Sequence, residues 1–178
     1  MEDVGEDRRR LIGSLLREVP DHPSPGVLFR DITPLLADPS GLRECVHGLV
    51  GLVPQGVRVV AGVEARGFVL GSPMAVHLGV GFVPIRKVGK LPGPTQTARY
   101  DLEYGTAEIE VHSDAFAPGE EVVIVDDVLA TGGTAVAACE LVEAAGARVR
   151  AVVVLLELEA LAGRLPLAGR DVRSLLVL

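Results

Sequence analysis

Residues 122–134 read Val-Val-Ile-Val-Asp-Asp-Val-Leu-Ala-Thr-Gly-Gly-Thr, and an alanine-rich segment follows to residue 145. No other stretch restricts the fold as tightly. The apolar run up to residue 125 lacks polar alternation, as in a strand buried on both faces of a parallel sheet. The segment 135–145 reads as the helix after it. The turn between them then lies at the carboxyl end of a sheet, where open α/β folds hold their ligands. Free N–H groups at the start of a helix suit a phosphate. Asp126 and Asp127 do not suit the same phosphate. They suit hydroxyls or a hydrated metal, so the ligand implied is a sugar phosphate.

The rest of the chain repeats this alternation. A helix is expected over 6–18, with Leu11, Ile12, Leu15 and Leu16 on one side. Pro20, Pro23 and Pro25 stop it, leaving 19–34 as an irregular arm. A helix over 41–50, a strand over 57–63, a helix over 67–78 and a strand over 81–86 follow. The loop 88–97 is rich in breakers. Paired antiparallel strands are expected at 100–104 and 106–112, around Gly105. Period two in 107–111 leaves one of their faces wet. Strands at 121–126 and 150–157 come next, then a short helix from 158. The segment 171–178 is an edge strand or an oligomer contact. Alternating strands and helices predict a single α/β domain over 1–178, with a mainly parallel central sheet flanked by helices. The arm 1–34 and the insertion 88–112 are too small to be domains and are placed to cover the ligand edge.

Composition narrows the function. Aromatics are 3% and net charge is −7, with a pI near 5.1, poor credentials for a nucleic-acid surface. No run approaches the roughly 18–20 apolar residues of a membrane span. Cys45 and Cys139 read as reduced, buried thiols, and the N-terminus lacks an apolar signal core, so the expected location is cytoplasmic. His22, His47, His77 and His112 form no metal-ligand spacing, and no protein metal site is expected. A P-loop and a G-x-G-x-x-G turn are both absent.

Within the turn, Gly132 and Gly133 permit close approach of a phosphate, and Thr131 and Thr134 add hydroxyl donors. A second strand-to-helix junction at 62–68 carries Arg66 to the same sheet edge, where a polyanion would meet it. The alternative is an exposed arginine beside a capping or pairing Glu64. Arg86, Lys87 and Lys90 make a cationic strand end, and the two lysines are the only ones in the chain.

The 122–134 stretch resembles the 5-phosphoribosyl-1-pyrophosphate (PRPP) motif of type I phosphoribosyltransferases. Segments 25–35, 62–68, 85–93 and 101–105 extend the likeness to the adenine branch of that family. The resemblance implies a small N-terminal hood, a lid hairpin over 88–112 and a homodimer. It implies that Phe29 stacks on adenine while the main chain of Leu28 and Arg30 reads the base edge. Arg66, Lys87 and Lys90 would face pyrophosphate, with Arg86 or Lys87 reaching the partner subunit's site. Asp126 and Asp127 would bind the ribose hydroxyls, and Ala130, Thr131, Gly132, Gly133 and Thr134 the 5-phosphate. Glu103 and Tyr104 would lie on the lid, with Glu103 either taking the adenine N9 proton or ordering the lid. Two departures stand out: Ala65 replaces the family's common serine, and 95–100 is shorter than the usual bacterial lid.

The implied reaction is adenine plus PRPP giving AMP and pyrophosphate, with Mg²⁺ held mainly by substrate phosphates and water. Transfer to hypoxanthine, guanine or xanthine is the nearest alternative. No lysine sits at 28–30 to greet a 6-oxo group. A PRPP-sensing regulator would need a basic surface that the net charge opposes.

Overall fold

The computed structural model describes residues 4–101 and 106–178. Two compact units emerge, Met1–Gly48 and Leu49–Leu178.

The first unit opens with α1 (Val4–Ser14), shorter than the periodicity suggests. Ser14 Oγ donates to the Leu11 carbonyl at 2.7 Å, and the N–H groups of Leu15 and Leu16 close tight turns. Residues 17–19 leave the helix because they are recruited into a ladder. β1 (Arg17–Val19) runs antiparallel to β2 (Phe29–Asp31), with Val19 opposite Phe29 and Glu18 opposite Arg30. The expected irregular arm is therefore partly a two-stranded sheet, whose pairing depends on a partner ten residues away rather than on local propensity. Asp31 caps α2 (Thr33–Ala37) by accepting from the Thr33 N–H at 2.9 Å and its hydroxyl at 2.7 Å. α3 (Pro39–Gly51) begins in this unit and runs into the next, and Ile12, Ile32, Leu35 and Cys45 are among the unit's buried apolar residues.

The second unit is a seven-stranded sheet in the order β5-β6-β4-β3-β7-β8-β9. Its members are β3 (Val59–Val63), β4 (Gly81–Lys87), β5 (Thr95–Asp101), β6 (Thr106–His112), β7 (Glu121–Leu129), β8 (Arg148–Glu157) and β9 (Val172–Val177). Strands β4, β3, β7, β8 and β9 run parallel, while the β5–β6 hairpin lies antiparallel along β4. α4 (Arg66–Leu78) joins β3 to β4, and α5 (Gly133–Ala144) joins β7 to β8. Alternate residues face opposite sides of a strand. Val59, Ala61, Ile124 and Val152 therefore share a core with Ala138, Leu141 and Val142 of α5. Gly71 of α4 lies against Val60 and Phe82 on the other face.

Two expectations change here. The strand 95–101 begins inside the predicted loop, with Thr95 opposite His112 and Asp101 opposite Thr106. The face expected to be wet is not wholly so, because Glu110 is 3% exposed. Its carboxylate accepts the N–H groups of Lys90 and Leu91, both at 2.8 Å, which holds the turn after β4 over it. The segment 172–177 is the edge strand of the two readings offered.

Candidate active site

Chain order makes the site. From β3 the chain crosses to β4 on one side, and from β7 it crosses to β8 on the other. A crevice opens where such crossings diverge, at the carboxyl ends of β3 and β7. β3 pairs with β7 only as far as Gly62 opposite Val125. Beyond it β7 continues against β8 alone, with Asp126 opposite Val154 and Leu129 opposite Glu157. Asp126 thus lies within the strand as the sequence suggests, and Asp127, expected just after its end, lies within it too. The turn itself shrinks to residues 130–132.

Gly132 occupies the position before α5 with φ of 88°, and its carbonyl accepts from the Val136 N–H at 3.0 Å. Among the described residues no side chain caps α5, so the N–H groups of its first turn are available to a ligand. Residues 130–135 and Asp126 line a cavity of about 60 Å³. One water-sized sphere needs roughly 10–15 Å³, so the hollow has room for about four to six, the scale of a phosphate group.

The facing loop is drawn in by Gly67, where a β-carbon would lie 2.6 Å from the Val125 carbonyl oxygen. Only glycine lets the first turn of α4 approach β7 so closely. That approach joins the Arg66 guanidinium to the Asp127 carboxylate, which is 5% exposed. The structure therefore brings Arg66, Asp126, Asp127 and residues 130–134 to one crevice.

Glu64 pairs with neither Arg66 nor the helix start. It accepts from the Lys87 N–H at 2.9 Å and Arg86 Nε at 3.3 Å. The Lys87 N–H, with Arg86 assisting against burial, holds its carboxyl below the usual range. Arg86 also donates to the Lys90 carbonyl at 3.3 Å. Both main-chain groups of Lys90 are thus tied, so the basic turn is built rather than loose. Ala65 precedes α4 with no side-chain cap, and the Glu64–Ala65 peptide is cis.

Phe29 and Arg30 belong to β2 and Leu28 directly precedes it, all in the N-terminal unit. The His22 ring meets Phe29 edge-on at 5.1 Å, and Arg30 pairs with Glu18. Glu103 and Tyr104 lie outside the described residues. Sequence reasoning passed over Glu110 and named Glu64 only as a cap or partner beside Arg66. Glu64 directly follows β3 and Glu110 lies in β6, but only folding shows which amides each meets.

Burial first, then the neighbouring Asp127 carboxylate, push the Asp126 carboxyl well above the usual aspartate value. Between the unfolded and the raised value, the folded state keeps a proton that the unfolded chain releases. This contribution is fully present below the unfolded value of about 3.9 and is lost as pH rises through the raised one. Asp126→Asn is expected to melt a few degrees above the wild type near neutral pH, with the gap closing toward pH 4. Melting temperatures of both proteins across that range test it; parallel curves would contradict it.

A crevice at a sheet switch point, with adjacent acids, an uncapped helix start and an opposing arginine, has the form of a phosphoribosyl transferase domain, and that family's model matches residues 41–175. The adenine phosphoribosyltransferase of Methylococcus capsulatus is 57% identical over 162 residues, 90% of this chain and 95% of that protein. Adenine phosphoribosyltransferase from Thermoanaerobacter pseudethanolicus has the same fold, with a TM-score of 0.93 and 46% identity, over 96% of this chain and 99% of that one. The Saccharomyces cerevisiae enzyme, solved with D-2,5-dideoxy-2,5-imino-altritol 1,6-bisphosphate and adenine, gives a TM-score of 0.90 and 38% identity, over 96% and 99%. The chain belongs to the adenine phosphoribosyltransferase family.

Proposed function

We propose that this protein transfers the 5-phosphoribosyl group of PRPP to N9 of adenine, giving AMP and pyrophosphate. The observation that carries the reading is the pair Asp126–Asp127 beside the uncapped start of α5, facing Arg66 across one crevice. The bond from the ribose C1 to pyrophosphate breaks, the bond to N9 forms, and the N9 proton leaves. Positive charge grows on the sugar as the leaving bond stretches, so the protein must hold two ligands in line and neutralise the departing anion. Asp126 and Asp127 accept the ribose hydroxyls, and residues 130–134 donate to the 5-phosphate. Arg66 exchanges Asp127 for pyrophosphate, assisted by Lys87 and Lys90. Arg86 holds the basic turn through Glu64. Glu103 takes the N9 proton or orders the lid.

Mg²⁺ fits this donor set as an ion carried by substrate phosphates and water. Among the described residues no group of three or more His, Cys, Asp or Glu could hold a metal. When bound, it adds positive charge at the leaving pyrophosphate. A homodimer is supported by α4, where Val69 is 46% and Val76 is 83% exposed seven residues apart, on one helix face. A cytoplasmic location is supported by Cys45 and Cys139, both free and buried, with thiols that burial raises to about 12 and about 11. No helix among the described residues is long and apolar enough to cross a membrane.

Phe29 supplies the stacking face for adenine, and the Leu28 and Arg30 main chain reads its edge. A backbone pattern that suits an amine leaves a 6-oxo base unpaired, so adenine should exceed hypoxanthine by at least about 100-fold in kcat/KM. Pyrophosphate release from PRPP with adenine, hypoxanthine, guanine and xanthine measures it. Equal use of the bases would replace this reading with a broad purine transferase. Phe29→Ala should raise KM for adenine and leave that for PRPP nearly unchanged.

A further inference from the structure

β8 is buried and apolar from Ala151 through Leu156, and then ends in a glutamate that is only 6% exposed. Such a carboxylate is retained in a buried position when it is paired. Arg164 grips it with two parallel bonds, Nε to Oε1 at 2.6 Å and Nη2 to Oε2 at 2.7 Å. The same guanidinium donates to the Val172 carbonyl at 2.8 Å and to Ser174 Oγ at 3.2 Å. One side chain thus ties the turn after β8 to the ends of both β8 and β9.

That turn is the floor of the 130–132 loop. The Leu158 N–H donates to the Leu129 carbonyl at 3.0 Å. At Gly163 a β-carbon would lie 2.3 Å from the Ala130 carbonyl oxygen. At Gly132 one would lie 2.3 Å from the Gly163 carbonyl oxygen and 2.8 Å from Pro166. Two backbones therefore touch with no side chain between them. Ala162, just before the contact, has φ of 51°, a left-handed conformation that non-glycine residues seldom take. Arg164 directly follows Gly163, and its guanidinium is engaged by Glu157, Val172 and Ser174.

We propose that Arg164, through Glu157, is a positioning residue for the 5-phosphate loop, setting the height of Gly163 under Ala130 and Gly132. The inference rests on the reading that residues 130–134 hold the 5-phosphate. It separates the two anion sites of the crevice: the 130–134 side leans on Arg164, whereas Arg66 stands on α4 and meets β7 at Asp127, before the loop begins.

The test is calorimetric titration of the full-length protein with ribose 5-phosphate and, separately, with pyrophosphate and Mg²⁺, for the wild type, Arg164→Ala and Arg164→Lys. Arg164→Ala should weaken ribose 5-phosphate by at least about tenfold, short of the ~100-fold that a 1 Å misplacement costs. Pyrophosphate should stay within about twofold of the wild type, since its donors do not rest on the moved turn. Arg164→Lys should fall between, because an ammonium cannot span both carboxylate oxygens. Equal weakening of both ligands would mark a general structural role and overturn the proposal. So would unchanged ribose 5-phosphate affinity in folded Arg164→Ala. Should that variant fail to fold, Arg164→Lys and Ser174→Ala decide by the same selective loss. A wild type that binds pyrophosphate but not ribose 5-phosphate overturns the underlying assignment of the loop, and this proposal with it.

Discussion

Replacing both Asp126 and Asp127 by asparagine is expected to lower kcat/KM for PRPP by about 10²–10⁴ while the fold survives. Each charge-assisted hydrogen bond to a sugar hydroxyl contributes about 1.5–3 kcal/mol, so two contribute about 3–6, at roughly 1.4 kcal/mol per tenfold. The fold has reasons to tolerate the change. Asparagine matches aspartate in shape, and its amide oxygen can still accept the Asp127 N–H that Asp126 now accepts at 2.8 Å. The Arg66 side chain, 46% exposed, can return to water when its partner is lost. Steady-state kinetics with varied PRPP, beside a melting curve, measures both halves. Near-normal kcat/KM in the folded double variant would remove the acids from the site.

Gly132→Ala is expected to raise KM for PRPP by about 100-fold or more, the cost of displacing a positioned group by about 1 Å. Two causes add. A φ of 88° disfavours any β-carbon, by about 1–2 kcal/mol. That carbon also enters the Gly163 carbonyl and Pro166, neither of which is the free end of a flexible side chain. The loop must move, and the N–H groups of α5 move with it. Gly146→Ala separates the causes. Gly146 has φ of 89° with nothing within 4 Å of its would-be β-carbon, in the turn after α5. It should lose only the φ share of the stability, about 1–2 kcal/mol, and keep its KM. If both variants bind PRPP like the wild type, the 130–134 loop is not the phosphate site.

Much of this was legible in the residues. The parallel strand, the acids at its end and the glycine turn are local patterns, so 122–134 announced both a sheet edge and a ligand chemistry. The same holds for α4 and α5, whose apolar spacing and glycine boundaries are features of neighbouring residues. The N-terminal ladder, the earlier start of β5 and the extension of β7 to Leu129 were not legible. Each depends on a strand partner distant in sequence: β2 for β1, β6 for β5, and β8 for the last residues of β7.

What the sequence determined by itself was the class of architecture and the list of groups able to meet a sugar, a phosphate and a pyrophosphate. Hydrophobic period and turn chemistry are short-range properties, and they are written residue by residue. Which groups meet was decided by the tertiary structure alone. Charge does not name its partner: Arg66 joined Asp127 and not Glu64, Glu110 took the amides of the basic turn, and Glu157 took Arg164. Those pairings follow from strand order and from backbone approaches at Gly67 and Gly132, where a missing β-carbon lets one segment settle on another.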